Sequence, residues 1–353
     1  MTFRYIGSKS RLIEQLKDRI GLPIKGRNVF IDAFCGTGAV AEAAAEMGWE
    51  IRLNDSLHSA IMVSEARLIG INQVNFSKLG GYDSAIKKLN SITGKHGFIW
   101  REYSPASRLS TPYERRYFTE ENASKIDSIR DTIQDWKEDD IISELERKLL
   151  IADLLSAVNR IANIAGTFGC FLSKWTKQSQ NALLLKCRNL KSIDICFESS
   201  VGDVFQVKNE STDVIYLDPP YTKRQYASYY HILETIVLND FPIVEGVAGL
   251  RPWKDKASAF CYKNKAYKTL SELVGSLNSE RILISYSSEG HISMQQMSSL
   301  AIDNRRVEIN PIGNISRYKP NMNGSKFDNT LTEFLVEINT CLLYTSDAAD
   351  ELL

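Results

Sequence analysis

The sequence predicts an α/β protein whose sheet is divided into two halves by a mostly helical insertion. Three observations carry this. Near the amino terminus the apolar run Val29 to Asp32 leads into Phe34-Cys-Gly-Thr-Gly38 and then the Ala-rich run Ala39 to Met47: a strand, a tight glycine turn and a helix by propensity. Far downstream, Val214 to Leu217 is β-branched, aromatic and apolar and stops at Pro219-Pro220, which reads as a buried strand. Between the two, Ile126, Ile129, Ile133 and Trp136, and then Leu145, Leu149, Ala152 and Leu155, recur at helical spacing.

Taken in order, Gly48 ends the first helix, and a second strand, Glu50 to Leu53, stops at Asn54-Asp55 and completes a β-α-β unit. Residues 74–118 mix Gly, Ser and Tyr with little periodicity and predict no defined element. The second helical run extends as far as Gly166. From residue 199 strand signals return: Val214 to Leu217, Ile282 to Tyr286, and the alternating run Leu331 to Ile338. The resulting division is a cofactor-side half over 1–71, a helical insertion over 72–198 and a catalytic half over 199–340. Residues 341–353 resemble translated sequencing-adapter DNA and are read as a non-native tail.

Composition limits the function. Hydrophobic residues make up 43% of the 353 residues and charged residues 24%, the balance of a soluble globular protein. Lys plus Arg equals Asp plus Glu, so contact with nucleic acid would have to come from local basic patches. Cysteines 35, 170, 187, 196, 261 and 341 form no C-x-x-C pair, which argues against zinc and against a disulfide framework. They are read as reduced and cytosolic, with no metal site. The start has no apolar signal-peptide core, and no run approaches the ~18 apolar residues of a membrane span.

The chemistry is expected where the strands end. A strand that delivers Asp218 to a Pro-Pro break places its carboxylate at the carboxyl edge of the sheet, where open α/β sheets bind ligands. Pro219 and Pro220 fix φ and lack N–H groups, so the Pro219 carbonyl and the Tyr221 ring are held in a stiff turn. A carboxylate, a free carbonyl and an aromatic face suit a planar base with an amino group, although a strand end with a structural Pro-Pro turn gives the same pattern. Gly36-Thr-Gly38-Ala-Val-Ala41 matches G-x-G-x-x-A, and Asp55 follows at close to the roughly 20-residue spacing of a dinucleotide turn. Asp32, just before the turn, would face a pyrophosphate unfavourably and suits an ammonium group. The helix N-terminus beyond the turn suits a carboxylate. S-adenosylmethionine carries both groups, with Asp55 placed for its ribose hydroxyls. Asp203, after Gly202, either receives the cofactor's adenine amino group or is simply a turn residue.

These blocks resemble, in their order, the D12 class of DNA adenine-N6 methyltransferases. Tyr5-Ile-Gly-Ser-Lys9 looks like the amino-terminal cofactor motif, Asp32 to Gly38 like the glycine motif and Asp218-Pro-Pro-Tyr221 like the catalytic motif. Arg224-Gln-Tyr226, Tyr229 to Glu234 and Ile284 to Gly290 look like later blocks, and Tyr117-Phe-Thr, Ala123 to Arg130 and Asn163 to Gly166 match the middle. Thr222 departs from the Asn common in the family after the tyrosine. The resemblance implies a class I S-adenosylmethionine-dependent methyltransferase (Rossmann-like) sheet with a helical DNA-recognition insertion. By motif it carries Tyr5, Gly7, Lys9, Asp32, Phe34, Gly36, Gly38 and Asp218 as cofactor contacts, beside Asp55 and Asp203 read from their placement, with Asp218, Pro219, Pro220 and Tyr221 acting on a flipped-out adenine. Ser or Asn in place of Asp218 would point instead to N4-cytosine or to RNA and protein amides. A nicotinamide oxidoreductase would explain only the glycine turn, and an inactive DNA-binding relative would not need the intact motifs.

Double-stranded DNA is the implied partner, with a cognate restriction endonuclease as a second candidate. Lys174 and Lys177 lie in a basic stretch from Phe171 to Ile193, with a second stretch from Arg251 to Lys268; either run could equally be a solvated face. Lys223 and Arg224, beside the catalytic turn, are expected to touch substrate locally. His231 reads as a core or capping residue. Neither the recognised DNA sequence nor the oligomeric state is legible.

Overall fold

A computed structural model describes residues 3–7, 9–300, 305–316 and 330–340. Ser8 and the tail at 341–353 lie outside them. The chain forms one seven-stranded sheet: β1 (Val29–Asp32), β2 (Glu50–Asp55), β3 (Phe197–Val201), β4 (Val214–Leu217), β5 (Arg281–Ser287), β6 (Arg305–Ser316) and β7 (Thr330–Thr340). The spatial order is β3-β2-β1-β4-β5-β7-β6. The first five strands run parallel, while β7 is antiparallel to both β5 and β6.

The helices are α1 (Ile13–Ile20), α2 (Ala39–Glu46), α3 (His58–Leu68), α4 (Tyr82–Ser91), α5 (Phe98–Tyr103), α6 (Glu120–Glu138), α7 (Glu144–Ile161), α8 (Tyr226–Tyr229), α9 (His231–Leu238), α10 (Ala266–Ser276) and α11 (Met294–Ser298). The central strands are apolar on both faces because both are covered. Successive residues alternate between cores: Phe30, Val214, Tyr216, Leu283 and Leu335 pack with α1 and α2, whereas Ile31, Ile215, Leu217, Ile284 and Val336 pack with α10. A third core joins α4 to α7 with α3 and α9.

The helical reading of 120–161 is met, with one difference. The second helix ends at Ile161 rather than Gly166, because Ala162 turns extended and buried Asn163 is taken up elsewhere. Its carboxamide donates to the carbonyls of Arg116 and Leu172 and accepts from the Thr176 amide. Residues 74–118, read as lacking a defined element, carry α4 and α5; α1, α3, α8, α10, α11, the exposed edge strand β3, and β6, whose pairing shifts register between Pro311 and Gly313, likewise had no sequence signal. Proline is tolerated in β6 because, among the described residues, that strand lies at the edge of the sheet.

The strand order reverses between β1 and β4. Their register pairs Asp32 with Tyr216, so Asp218 lies two residues beyond that pairing, across the same crevice. Ligands of open α/β sheets bind at this switch point.

Candidate active site

A cavity of about 520 Å³ opens at the carboxyl ends of β1 and β4. Tyr5, Gly7, Lys9, Asp32, Phe34, Gly36, Asp55, Asp203 and Asp218 all line it, so the sequence-predicted cofactor residues converge on one space, with Gly38 at the turn behind it. Among the described residues no cluster of three or more His, Cys, Asp or Glu side chains could hold a metal ion, and no helix is long and apolar enough to cross a membrane.

One wall is the glycine turn. Gly36 and Gly38 have φ of 52° and 72°, the left-handed region that glycine enters without strain. A Cβ at Gly38 would also come within 2.8 Å of the Ser64 Cα, so the turn packs backbone to backbone against α3. Asp55 braces the same turn: one carboxylate oxygen accepts from the Gly36 amide and the other from the Leu57 amide, both at 3.0 Å. Burial pushes Asp55 up to about 6, against the pull of those amides. Asp32 is 1% exposed, and its Oδ1 has no hydrogen-bonding partner. Burial, reinforced by the carboxylates of Asp218 and Asp55, pushes it up to about 8. A buried carboxyl with an unused acceptor and no cation beside it fits a ligand that brings its own positive charge.

The amino-terminal motif forms a second wall, strapped by aromatics. Tyr5 stacks on Tyr230 at 4.3 Å, the Ile6 amide donates to the Tyr230 hydroxyl, and the Tyr226 hydroxyl donates to the Ile6 carbonyl. Gly7 is needed where the chain passes Tyr226: its φ is 78°, and a Cβ would sit 3.0 Å from that hydroxyl. Phe34 meets Phe260 edge-on at 5.5 Å. Asp203 is exposed and caps a short turn by accepting from the Phe205 amide, so its turn role is present at the cavity wall.

The third wall holds Asp218, 17% exposed, whose Oδ1 lies 3.1 Å from the Lys9 ammonium. The same ammonium lies 3.2 Å from Oε2 of Glu333 on β7, and both of those side chains are 3% exposed. Burial pushes Asp218 up to about 6; Lys9 opposes the rise and Glu333 adds to it. For Lys9, burial would lower the pKa, but the two carboxylates prevail and hold it above its ordinary value. Lys9 also lies 5.4 Å from the centre of the Tyr221 ring, which packs edge-on against Tyr286. The Tyr221 carbonyl accepts from the His291 amide, and Pro219 is buried, so the turn is fixed at both ends.

Sequence reasoning placed Lys9 with the cofactor motif and did not find its pairing with Asp218 and Glu333. No local signal could show it, since Lys9 and Glu333 stand 324 residues apart in sequence. It also did not find Glu234, which accepts from the His58 and Ser59 amides and pairs with Lys256 at 3.0 Å, tying the 254–256 turn to the start of α3. His231 is buried with Nε2 against the Phe168 carbonyl, and burial drives it down to about 3, as expected of a core residue.

Of the basic candidates, Lys174, Lys177 and Lys223 are exposed and Arg224 is half-buried. Lys223 and Arg224 directly follow the Asp218–Tyr221 turn. The loop carrying Lys174 and Lys177 is held by Asn163 and, through Phe168, by Tyr229 and His231. The wider basic runs contribute less free charge than their composition suggests. Arg188 pairs with Asp153, Lys191 with Glu42, Arg251 with Asp240, Lys256 with Glu234 and Lys268 with Glu272.

Sheet order and crevice define a class I methyltransferase fold, of the kind that uses S-adenosylmethionine. Residues 5–300 match the D12 class N6 adenine-specific DNA methyltransferase model, and the chain belongs to that family. It is 35% identical over 304 residues to the type II methyltransferase M.FokI of Planomicrobium okeanokoites, covering 84% of this chain and 46% of that protein. It is 32% identical to the modification methylase StsI of Streptococcus sanguinis, again covering 84% and 46%. Type II methyltransferase M.NlaIII of Neisseria lactamica is 31% identical, with 84% of this chain and 86% of that protein covered. The chain thus spans about half the length of the FokI and StsI enzymes.

Proposed function

We propose that this chain transfers a methyl group from S-adenosylmethionine to N6 of an adenine flipped out of duplex DNA. The observation that carries the reading is the placing of Asp218, at the end of β4 before two prolines, on the same cavity as the uncompensated carboxyl of Asp32. Bound there, S-adenosylmethionine would supply an electrophilic sulfonium methyl group. Asp32 would pair with its ammonium, the turn after β1 would approach its backbone closely, and Asp55 would take its ribose hydroxyls.

Adenine N6 is a weak nucleophile because its lone pair is delocalised into the ring. The Asp218 carboxylate and the Pro219 carbonyl would accept its two hydrogens and draw that lone pair out of conjugation. Preorganised acceptors of this kind need no reorganisation during reaction. With a pKa pushed up to about 6, Asp218 is mostly ionised at neutral pH and can also hold the proton that the methylated nitrogen sheds. Tyr221 would stack on the base, which must leave the helix to be reached. Lys174, Lys177, Lys223 and Arg224 would hold phosphates, and residues 72–198 would supply the recognition surface.

By analogy with relatives named as type II and modification methylases, the partner of this activity is a restriction endonuclease of the same DNA specificity. The direct test is transfer of tritiated methyl groups to duplex DNA. Wild type should label adenine, and Asp218→Ala should bind cofactor without labelling. Labelling by Asp218→Ala would remove the catalytic assignment.

A further inference from the structure

We infer that Glu333 is a positioning residue of the active site: by holding the second side of the buried Lys9 ammonium, it fixes both the place and the net charge of the group that faces the substrate amine. This rests on the methyl-transfer reading above, and it concerns a residue beyond the matched span of 5–300.

Three distant segments build the arrangement. Lys9 comes from the amino-terminal strap, Asp218 from the end of β4, and Glu333 from the antiparallel strand β7, where it stands opposite Ser287 of β5 and Gly313 of β6. Glu333 shares its strand face with Leu335, a residue of the core under α1 and α2. The side chain therefore points where an apolar residue would ordinarily lie, and a carboxylate there is costly unless it is paired. Lys9 supplies the pairing, but with one ammonium for two carboxylates.

That stoichiometry has a chemical consequence. A lone Lys9–Asp218 pair would be neutral, with its best acceptor oxygen tied up by the ammonium. Dividing the ammonium between Asp218 and Glu333 leaves one negative charge on the cluster. Asp218 thereby keeps an oxygen available for an N–H hydrogen and for the proton released when N6 is methylated. When Asp218 takes that proton, Lys9 and Glu333 remain as a neutral pair, so no unbalanced charge is left in the buried wall.

The groups that face Asp218 are Lys9, Glu333, Asp32 from β1, Tyr216 from β4, Tyr221 from its own turn and Tyr226 from α8. Burial holds all three tyrosines neutral through the working range. Asp32 drops out of a pH profile recorded with saturating cofactor, which leaves the ionisation of Asp218, opposed by burial and Glu333 and favoured by Lys9, to set the acid limb.

The test uses the full chain and single-turnover methylation, with saturating S-adenosylmethionine and duplex DNA, as a function of pH. Glu333→Gln should move the acid limb to lower pH by about one unit, since a like charge has been removed, and should lower the plateau rate. Lys9→Met should move the limb the other way. Glu333→Asp, which restores the charge, should bring the limb back towards wild type. If Glu333→Gln lowers rate or melting temperature with the limb unmoved, the residue is only structural and the inference is overturned. If Lys9→Met does not fold, the Gln and Asp variants at 333 still decide. If wild type yields no methylated adenine, the proposed function has failed and the inference falls with it.

Discussion

Asp32 and Asp218 stand at the ends of adjacent parallel strands, on one cavity, and are solved in opposite ways. Asp32 is buried with an unpartnered oxygen and no cation, and is pushed up to about 8; Asp218 has Lys9 at 3.1 Å and is pushed up only to about 6. The difference is one of where the countercharge comes from. Asp218 brings its own, so in the proposed mechanism it stays ionised and faces a neutral amine. Asp32 lacks one and, on the same proposal, would be completed by the ammonium of a ligand. On that proposal, two identical side chains take a catalytic role and a binding role from their surroundings alone.

The largest expected effect breaks the Asp218 side. Asp218→Ala should reduce methyl transfer by about 10³-fold, the scale of losing a preorganised acceptor, while calorimetry finds cofactor affinity within a few-fold of wild type. A comparable loss of cofactor binding would erase the distinction between the two carboxylates. Next, Asp32→Asn should weaken S-adenosylmethionine binding by about 2–3 kcal/mol, the value of a charged hydrogen bond.

The pH dependence sharpens the same contrast. Asp32 has a folded pKa above its unfolded value, so the folded state binds the extra proton, and the stability it confers is lost as pH rises from about 4 through about 8. Replacing it with Asn should therefore raise the melting temperature of the unliganded protein more at pH 8 than at pH 5. Pairing with an ammonium requires the ionised form, so cofactor binding at pH 7 should release a proton and tighten towards pH 8. Titrations in two buffers of different ionisation enthalpy measure that proton directly, and a release of zero would count against the pairing. A smaller effect concerns the wall itself. Gly38→Ala should cost about 2 kcal/mol of stability from its left-handed backbone and the close approach to Ser64, read by denaturant unfolding.

The smallest effects lie at the surface. Lys174→Ala and Lys177→Ala should each weaken DNA binding about uniformly across sequences and reduce the salt slope by about 1. No change in slope would remove those side chains from the interface.

The Asp32 wall was legible in the sequence because it is local. Strand, glycine turn, helix and Asp55 all fall between residues 29 and 55, and the bonds that brace the turn span no more than 19 residues of sequence. The Asp218 wall was legible only in part. Its own strand and proline stop were plain, but its countercharge comes from residue 9 and its second carboxylate from residue 333. Glu333 and Glu337 share a strand face with Leu331 and Leu335, so the alternating run Leu331 to Ile338 does not by itself place them inside or outside. They are buried because α1 packs on that face, with Lys9 paired to Glu333 and Arg19 to Glu337, and because β6 extends the sheet beside β7. Neither α1 nor β6 had a sequence signal. Pro311 and Gly313 interrupt the strand pattern of β6, and α1 has no side-chain cap at its start. The basic runs misled in the opposite direction, since composition counts Arg188, Arg251 and Lys256 as available while the fold commits each to an acid.

The account is tested most directly by incubating the purified chain with S-adenosylmethionine and duplex DNA, digesting to nucleosides and identifying the methylated base by mass spectrometry. N6-methyladenine from wild type, and none from Asp218→Ala, is the predicted result. N4-methylcytosine, or unmodified DNA from a wild-type chain that binds cofactor, would contradict it.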